Sequence, residues 1–202
     1  MYSKIYHCKN FEKMKILVLD NYDSFVYNIV HYLEDIDSNN QIYVIKNNQI
    51  SLEEVDAFDK ILLSPGPGLP KDAGIMPALI QKYYSTKSIL GICLGHQAIA
   101  EAFDCKLKNL VKPLHGISSI VSVKEKDVLF QDCPDNFKIG HYHSWVVDEI
   151  VENSHLKTLA FDKYKNCMAL THKSYNIKGL QFHPESILTD FGKQILKNWL
   201  DN

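Results

Sequence analysis

The sequence predicts an α/β fold, an open, mostly parallel sheet with helices on both faces and an antiparallel extension. Three observations carry that prediction. In the first half of the chain, short apolar runs alternate with stretches of helical period, the pattern of successive βαβ units. Those runs are apolar throughout rather than at every second residue, as in strands covered on both faces. After Phe103 short runs of strand character follow one another closely, which reads as antiparallel strands attached to the same sheet.

"KILVLD" (Lys15–Asp20) is the first strand. "NYDSFVYNIVHYLEDI" follows as a helix, with Phe25, Ile29, Tyr32, Leu33 and Ile36 on one face and Asp23 or Ser24 as its N-cap. "QIYVIK" (Gln41–Lys46) is the second strand, and "SLEE" at 51–54 has the spacing of a capping box. "KILLS" at 60–64 is the third strand, residues 76–84 form a helix, and "SILGI" (Ser88–Ile92) is the fourth strand. "ISSIVSV", "FKIGHYHSW", "HLKTLAF" and "CMALTH" supply the short antiparallel strands. "IKGLQFH" is one more strand, and "TDFGKQILKNWL" closes the chain as an amphipathic helix starting at Thr189. One domain over residues 14–202 accounts for all of this. Residues 1–13 carry no periodic apolar face and precede Met14, so they read as a dispensable tail.

At 202 residues the chain can bury a proper core, and 46% hydrophobic with 23% charged residues is ordinary for a globular protein. A net charge of −2 gives no electrostatic reason to expect nucleic acid or an anionic membrane as partner. No apolar run reaches transmembrane length, and the N-terminal segment lacks the apolar stretch of a secretory signal. Five cysteines at wide spacings, without a C-x-x-C pair, suggest neither a disulfide framework nor a zinc ribbon. A cytoplasmic, reduced protein is expected.

Three short stretches carry chemistry. Gly91-Ile92-Cys93-Leu94-Gly95 is G-x-C-x-G at a strand-to-helix turn, the arrangement of a nucleophile elbow with sulfur in place of oxygen. Small flanking residues let strand and helix approach, and the helix N-terminus offers unpaired N–H groups to an anion. The competing reading is a small buried hydrophobe, as most free cysteines are. In "LQFHPES", His183 and Glu185 stand two apart at a strand end, where both side chains reach one face and Pro184 holds the extended geometry. A carboxylate there can fix the imidazole tautomer, as the acid of a nucleophile–base–acid triad does; a strand-end histidine beside a solvated glutamate is the alternative. "SPGPG" at 64–68 follows a parallel strand, where such sheets bind ligands, and exposes the Gly66 and Gly68 amides. It reads as an oxyanion loop or as a rigid turn. His141 and His143 form an H-x-H pair, but no third and fourth ligand stand at suitable spacing, so no metal site is assigned.

Together, "SPGPG", "GICLGHQ" and "QFHPES", in that order, resemble the class I, triad-type glutamine amidotransferases, over nearly the whole chain from Lys15 to Leu200. The resemblance implies that family's fold. It implies Cys93 as nucleophile, His183 as general base and acid, and Glu185 as the residue orienting His183. It further implies an oxyanion hole from the Leu94 amide and the loop of Gly66 and Gly68. Gly66, Pro67, Gly68, Gln97, Ser144 and Trp145 are then the glutamine-binding positions, Ser144 and Trp145 as the clamp on the α-carboxylate and amine. No cofactor is implied.

"DNYDSFVYNIVHYL" resembles the branch that supplies ammonia to chorismate-using synthases. Its implied partners are L-glutamine and a chorismate-using synthase, either anthranilate synthase component I or aminodeoxychorismate synthase component I. Any Mg²⁺ belongs to that partner. The anthranilate branch is the nearer likeness, and the aminodeoxychorismate branch is nearly indistinguishable by motif. Two departures stand out: Ile117 where many members have lysine, and His141 where they have arginine. The competing classes are a docking module without activity, disfavoured by the intact Cys93, His183 and Glu185, and a free-standing γ-glutamyl hydrolase, disfavoured by the N-Y-D-S-F block.

Overall fold

The computed structural model describes residues 13–151 and 154–202. Residues 1–12, and with them nearly all of the proposed tail, lie outside the described residues. Among the described residues nine strands form one sheet in the order β2-β1-β3-β4-β9-β8-β7-β5-β6. The parallel half consists of β1 (Lys15–Asp20), β2 (Gln41–Lys46), β3 (Lys60–Leu63), β4 (Ser88–Ile92) and β9 (Ile177–Leu180). The antiparallel half consists of β5 (Leu107–Val123), β6 (Asn136–Val147), β7 (Leu156–Phe161) and β8 (Cys167–His172), joined to the rest through β8 and β9.

The continuous apolar runs divide their side chains between two cores, because successive residues of a strand face opposite ways. Ile16, Val18, Leu62 and Leu90 pack on one face under α1 (Val26–Ile36) and α4 (Gly192–Asp201). Leu17, Leu19, Ile61 and Ile89 pack on the other under α2 (Met76–Tyr83) and α3 (Leu94–Ala102). The predicted class and the helices on both faces are therefore found. The capping box is also found: Ser51 N donates to Glu54 Oε2 (2.8 Å) and Glu54 N donates to Ser51 Oγ (3.3 Å), just ahead of a short 3₁₀ turn. No helix among the described residues is long and apolar enough to cross a membrane.

Several boundaries differ from expectation. Helix α1 begins at Val26 with Phe25 in the cap position and no side-chain cap. Asp23 instead accepts the Phe25 amide in a local turn (2.8 Å), and Phe25 is 43% exposed rather than on the buried face. Helix α4 begins at Gly192, not Thr189, because the Thr189 hydroxyl is committed elsewhere: it accepts from Gly140 N (2.9 Å) and donates to His183 O (2.6 Å). The pairing of β9 ends at Leu180, so His183 lies beyond the strand in the turn that follows. Strands β5 and β6 are long, at 17 and 12 residues, and form a bulged hairpin. Much of β5 is exposed and its register shifts between Asn109 and Leu114 and again between His115 and Ile117, which erases the period-2 signal from its sequence.

Candidate active site

The site forms at the C-terminal ends of β1, β3, β4 and β9. Cys93 is the single residue between β4 and α3, with φ 50° and ψ −98°. Such angles are rare outside glycine and persist only where the surroundings over-determine them. Here the Cys93 amide donates to Leu180 O (2.7 Å) and its carbonyl accepts from Gln97 N (3.1 Å). The flanking glycines are a packing requirement. A Cβ on Gly91 would run into the backbone of Gly95 and His96, and a Cβ on Gly95 would sit 2.5 Å from Leu63 O. Cys93 is 6% exposed and sits at the start of a helix whose first amides have no intrahelical acceptor.

The turn after β9 brings His183 to this point. His183 N donates to Gly140 O (3.3 Å) and Thr189 holds its carbonyl, so the segment is tied to β6. His183 Nδ1 bonds Glu185 Oε1 at 2.7 Å, with both side chains buried. Nε2 makes no hydrogen bond of good geometry among the described residues and is left to the Cys93 thiol. Burial works against a charged imidazole, but the Cys93 sulfur and the Glu185 carboxylate outweigh it and hold His183 protonated well above the ordinary imidazole range. The structure thus brings Cys93, His183 and Glu185 together in the order that the sequence leads one to expect of a triad.

The loop 64–68 forms the facing wall. Ser64 Oγ accepts from Asn21 N (2.8 Å) and donates to Pro65 O (2.7 Å), while Asn21 Nδ2 donates to Ser64 O (2.9 Å). Gly66 packs directly on Asn21 O and Leu94 Cδ2, leaving no room for a side chain, and Gly68 has φ +78°. A cavity of about 380 Å³ opens between this loop and the elbow. Among its lining residues are Gly66, Pro67, Gly68, Cys93, Leu94 and Gln97, and Ser144 and Trp145 close it from β6. All the positions expected from the sequence, apart from His183 and Glu185 behind Cys93, line this one cavity. Tyr22, Asp23 and Ser24 line it too, so the loop after β1, the loop after β3 and the elbow converge as the topology requires. Burial raises the Asp23 carboxyl, against the amide bond that it accepts from Phe25.

Two roles were not foreseen. Gln181, fully buried, accepts from Gln97 Nε2 (3.2 Å) and directs its own Nε2 at Cys93 Sγ (3.7 Å). The H-x-H pair forms a chain instead of a metal site. Trp145 O can only accept, so His143 Nδ1 donates to it (3.1 Å). The neutral ring then accepts at Nε2 from His141 Nδ1 (3.0 Å), and His141 Nε2 accepts from the Ser119 hydroxyl (2.7 Å). Burial favours neutral rings throughout, lowering His141 and pushing His143 down to about 3. Trp145 O also accepts from Gln97 Nε2 (2.9 Å), so the chain ends on the cavity wall. The two departures, Ile117 and His141, face each other across the β5–β6 register. Among the described residues no group of three or more His, Cys, Asp or Glu is arranged to hold a metal ion.

The class-I glutamine amidotransferase family model matches residues 17–202. The chain is 41% identical to anthranilate synthase component 2 of Thermus thermophilus over 192 residues, which is 94% of this chain and 93% of that one. It is 36% identical to aminodeoxychorismate synthase component 2 of Escherichia coli over 187 residues, covering 92% and 98%. In fold it is similar to the crystal structure of a candidate GMP synthase subunit from Thermoplasma acidophilum, with a TM-score of 0.83, 24% identity and 94% of both chains covered.

Proposed function

We propose, because this chain belongs to the class I glutamine amidotransferase family, that it is the ammonia-supplying subunit of anthranilate synthase. The Cys93 thiol gives its proton to His183 Nε2, and its sulfur attacks the side-chain amide carbon of glutamine. The oxyanion that forms is met by the Leu94 amide and the loop of Gly66 and Gly68, a kind of donor whose removal typically costs ~10²–10³ in rate. The C–N bond then breaks as His183 Nε2 gives its proton to the leaving nitrogen, releasing ammonia and leaving a γ-glutamyl thioester on Cys93. His183 next takes a proton from water, the resulting hydroxide attacks the thioester, and the C–S bond breaks as His183 returns the proton to sulfur, releasing glutamate and restoring the Cys93 thiol. Glu185 holds the Nδ1–H tautomer and steadies the imidazolium throughout.

The observation that carries this reading is the strained Cys93 set against an imidazole whose other nitrogen is fixed at 2.7 Å by a buried carboxylate. Chorismate and Mg²⁺ are assigned to the synthase partner, and the cytoplasm is the compartment that suits a reduced nucleophile. The same ammonia-supplying role in aminodeoxychorismate synthase is the second reading, favoured by the 36% identity to that component 2. Mixing the purified chain with each type of component I, glutamine, chorismate and Mg²⁺ decides between them. Anthranilate formed from glutamine is expected. Aminodeoxychorismate alone would reassign the partner, and no glutamate from glutamine with either would reject the activity.

A further inference from the structure

The residue that follows β9 is Gln181, and its side chain is buried completely beside the nucleophile. The main chain here is tied at two successive points. Gln181 N donates to Met168 O of β8 (2.9 Å), and the carbonyl of the preceding Leu180 accepts the Cys93 amide (2.7 Å). The Gln181 side chain therefore starts one residue from the bond that holds the elbow.

The direction of its amide follows from the acceptors around it. Trp145 O can only accept, so Gln97 turns its NH₂ group toward that carbonyl (2.9 Å). The same NH₂ group also meets Gln181 (3.2 Å), which must present its oxygen there. The Gln181 NH₂ group is then left facing Cys93 Sγ (3.7 Å), its acceptor among the described residues. A backbone carbonyl on the cavity wall thus fixes the polarity of both amides and sets a donor at the sulfur.

A neutral thiol is a weak acceptor, and a buried amide N–H aimed at one is poorly met. A thiolate is a strong acceptor, because a hydrogen bond to an ionised group is roughly twice as strong as one between neutral groups. The buried donor is therefore matched to the charged form of the sulfur, which is the form that attacks. In the reaction proposed above, the Leu94 amide and the loop of Gly66 and Gly68 serve the substrate oxygen, whereas Gln181 meets the sulfur.

We propose that Gln181 is a further catalytic residue, whose Nε2–H donates to Cys93 Sγ and stabilises negative charge on the sulfur. It does so before the attack on glutamine and again as the C–S bond of the thioester breaks. This rests on the glutamine-hydrolysing reading above and adds to it a donor for the nucleophile. Gln181 neither gives up nor takes a proton; the thiol proton passes to His183 Nε2 and returns from it.

The test is the pH profile of Cys93 alkylation by iodoacetamide in the full chain, read on the Cys93 peptide by mass spectrometry, and it needs no glutamine. Gln181→Met keeps the length of the side chain and removes the donor. It should slow alkylation at pH 7 about tenfold or more and move the profile up by about one pH unit. With component I, chorismate and Mg²⁺ present, its kcat for glutamine should fall about tenfold or more, while KM changes less than about threefold. A profile that coincides with the wild type would overturn the proposal and leave Gln181 as core filling, whatever the change in stability. If Gln181→Met loses its cooperative urea melt, the ¹⁵N-labelled wild type decides. The side-chain amide signals of Gln181 should then move with the midpoint of the alkylation profile and stay still in Cys93→Ser. Signals indifferent to that titration in the wild type would overturn the donor. A wild type that forms no glutamate would reject the hydrolase reading, while the alkylation profile still decides the role of Gln181.

Discussion

Residue type and position alone single out Cys93. Its neighbours Gly91 and Gly95 are small because backbone meets backbone there, and that requirement is visible in the sequence as G-x-C-x-G. The strain at φ 50° is not visible, since it exists only once Leu180 and Gln97 hold the residue from both sides. Such a residue stores about 1–3 kcal/mol. Replacing it with glycine releases that cost and forfeits about 0.5–1 kcal/mol of chain entropy relative to alanine. Cys93→Gly should therefore be more stable than Cys93→Ala by about 1 kcal/mol in urea unfolding, both being inactive. Equal stability, or a less stable glycine variant, would mean that the elbow is unstrained. Gln181 was illegible for a different reason. A glutamine just past a strand end has no distinguishing chemistry until Gln97 and Cys93 are placed beside it.

Among the elements, the turn from β9 to α4 shows what pattern reading misses. The sequence predicts a strand through His183 and a helix from Thr189, and both boundaries move because side chains there bond across the fold. Thr189 links the Gly140 amide to the His183 carbonyl, so it pins the turn and leaves the helix to start at Gly192. Gly192 has its own constraint: a Cβ there would run into the Pro184 carbonyl, between His183 and Glu185. Overpacking costs typically about 1–3 kcal/mol, and backbone against backbone relaxes poorly. Gly192→Ala should lose about 2 kcal/mol or more of stability, with a fall in glutamine turnover that exceeds the change in glutamine KM. Normal stability with normal turnover would show that the turn can slide without disturbing the pair. The long β5–β6 hairpin was illegible as a unit because β5 is largely exposed and its register shifts twice, although β6 buries Phe137, Ile139, Val146 and Val147.

At the scale of the molecule, the parallel half was legible because its strands, apart from the edge strand β2, are buried on both faces and write that burial as continuous apolar runs. The buried histidines set a pH limit on the whole. His96 has no ring exposure and is pushed down by burial to about 3, and His143 is likewise held at about 3. Both rings are neutral when folded and protonate near pH 6.5 when unfolded, so below that pH the unfolded chain binds more protons and stability falls. At pH 5 each contributes a loss of about 2 kcal/mol. His183 acts in the opposite sense: its folded value is raised, so its contribution is full below the unfolded value and is lost as pH climbs through the folded one. Denaturant melts at pH 7 and pH 5 should show a drop of several kcal/mol with an unchanged m-value. A flat profile would place those imidazoles in contact with water.

On the proposed function, Cys93 serves only the release of ammonia from glutamine. The assembled synthase carrying Cys93→Ser, assayed with glutamine and separately with an ammonium salt, tests it most directly. Glutamine-dependent amination should fall by about 10³ or more, while ammonia-dependent amination stays at the wild-type rate. Near-normal use of glutamine by the serine variant would contradict the account.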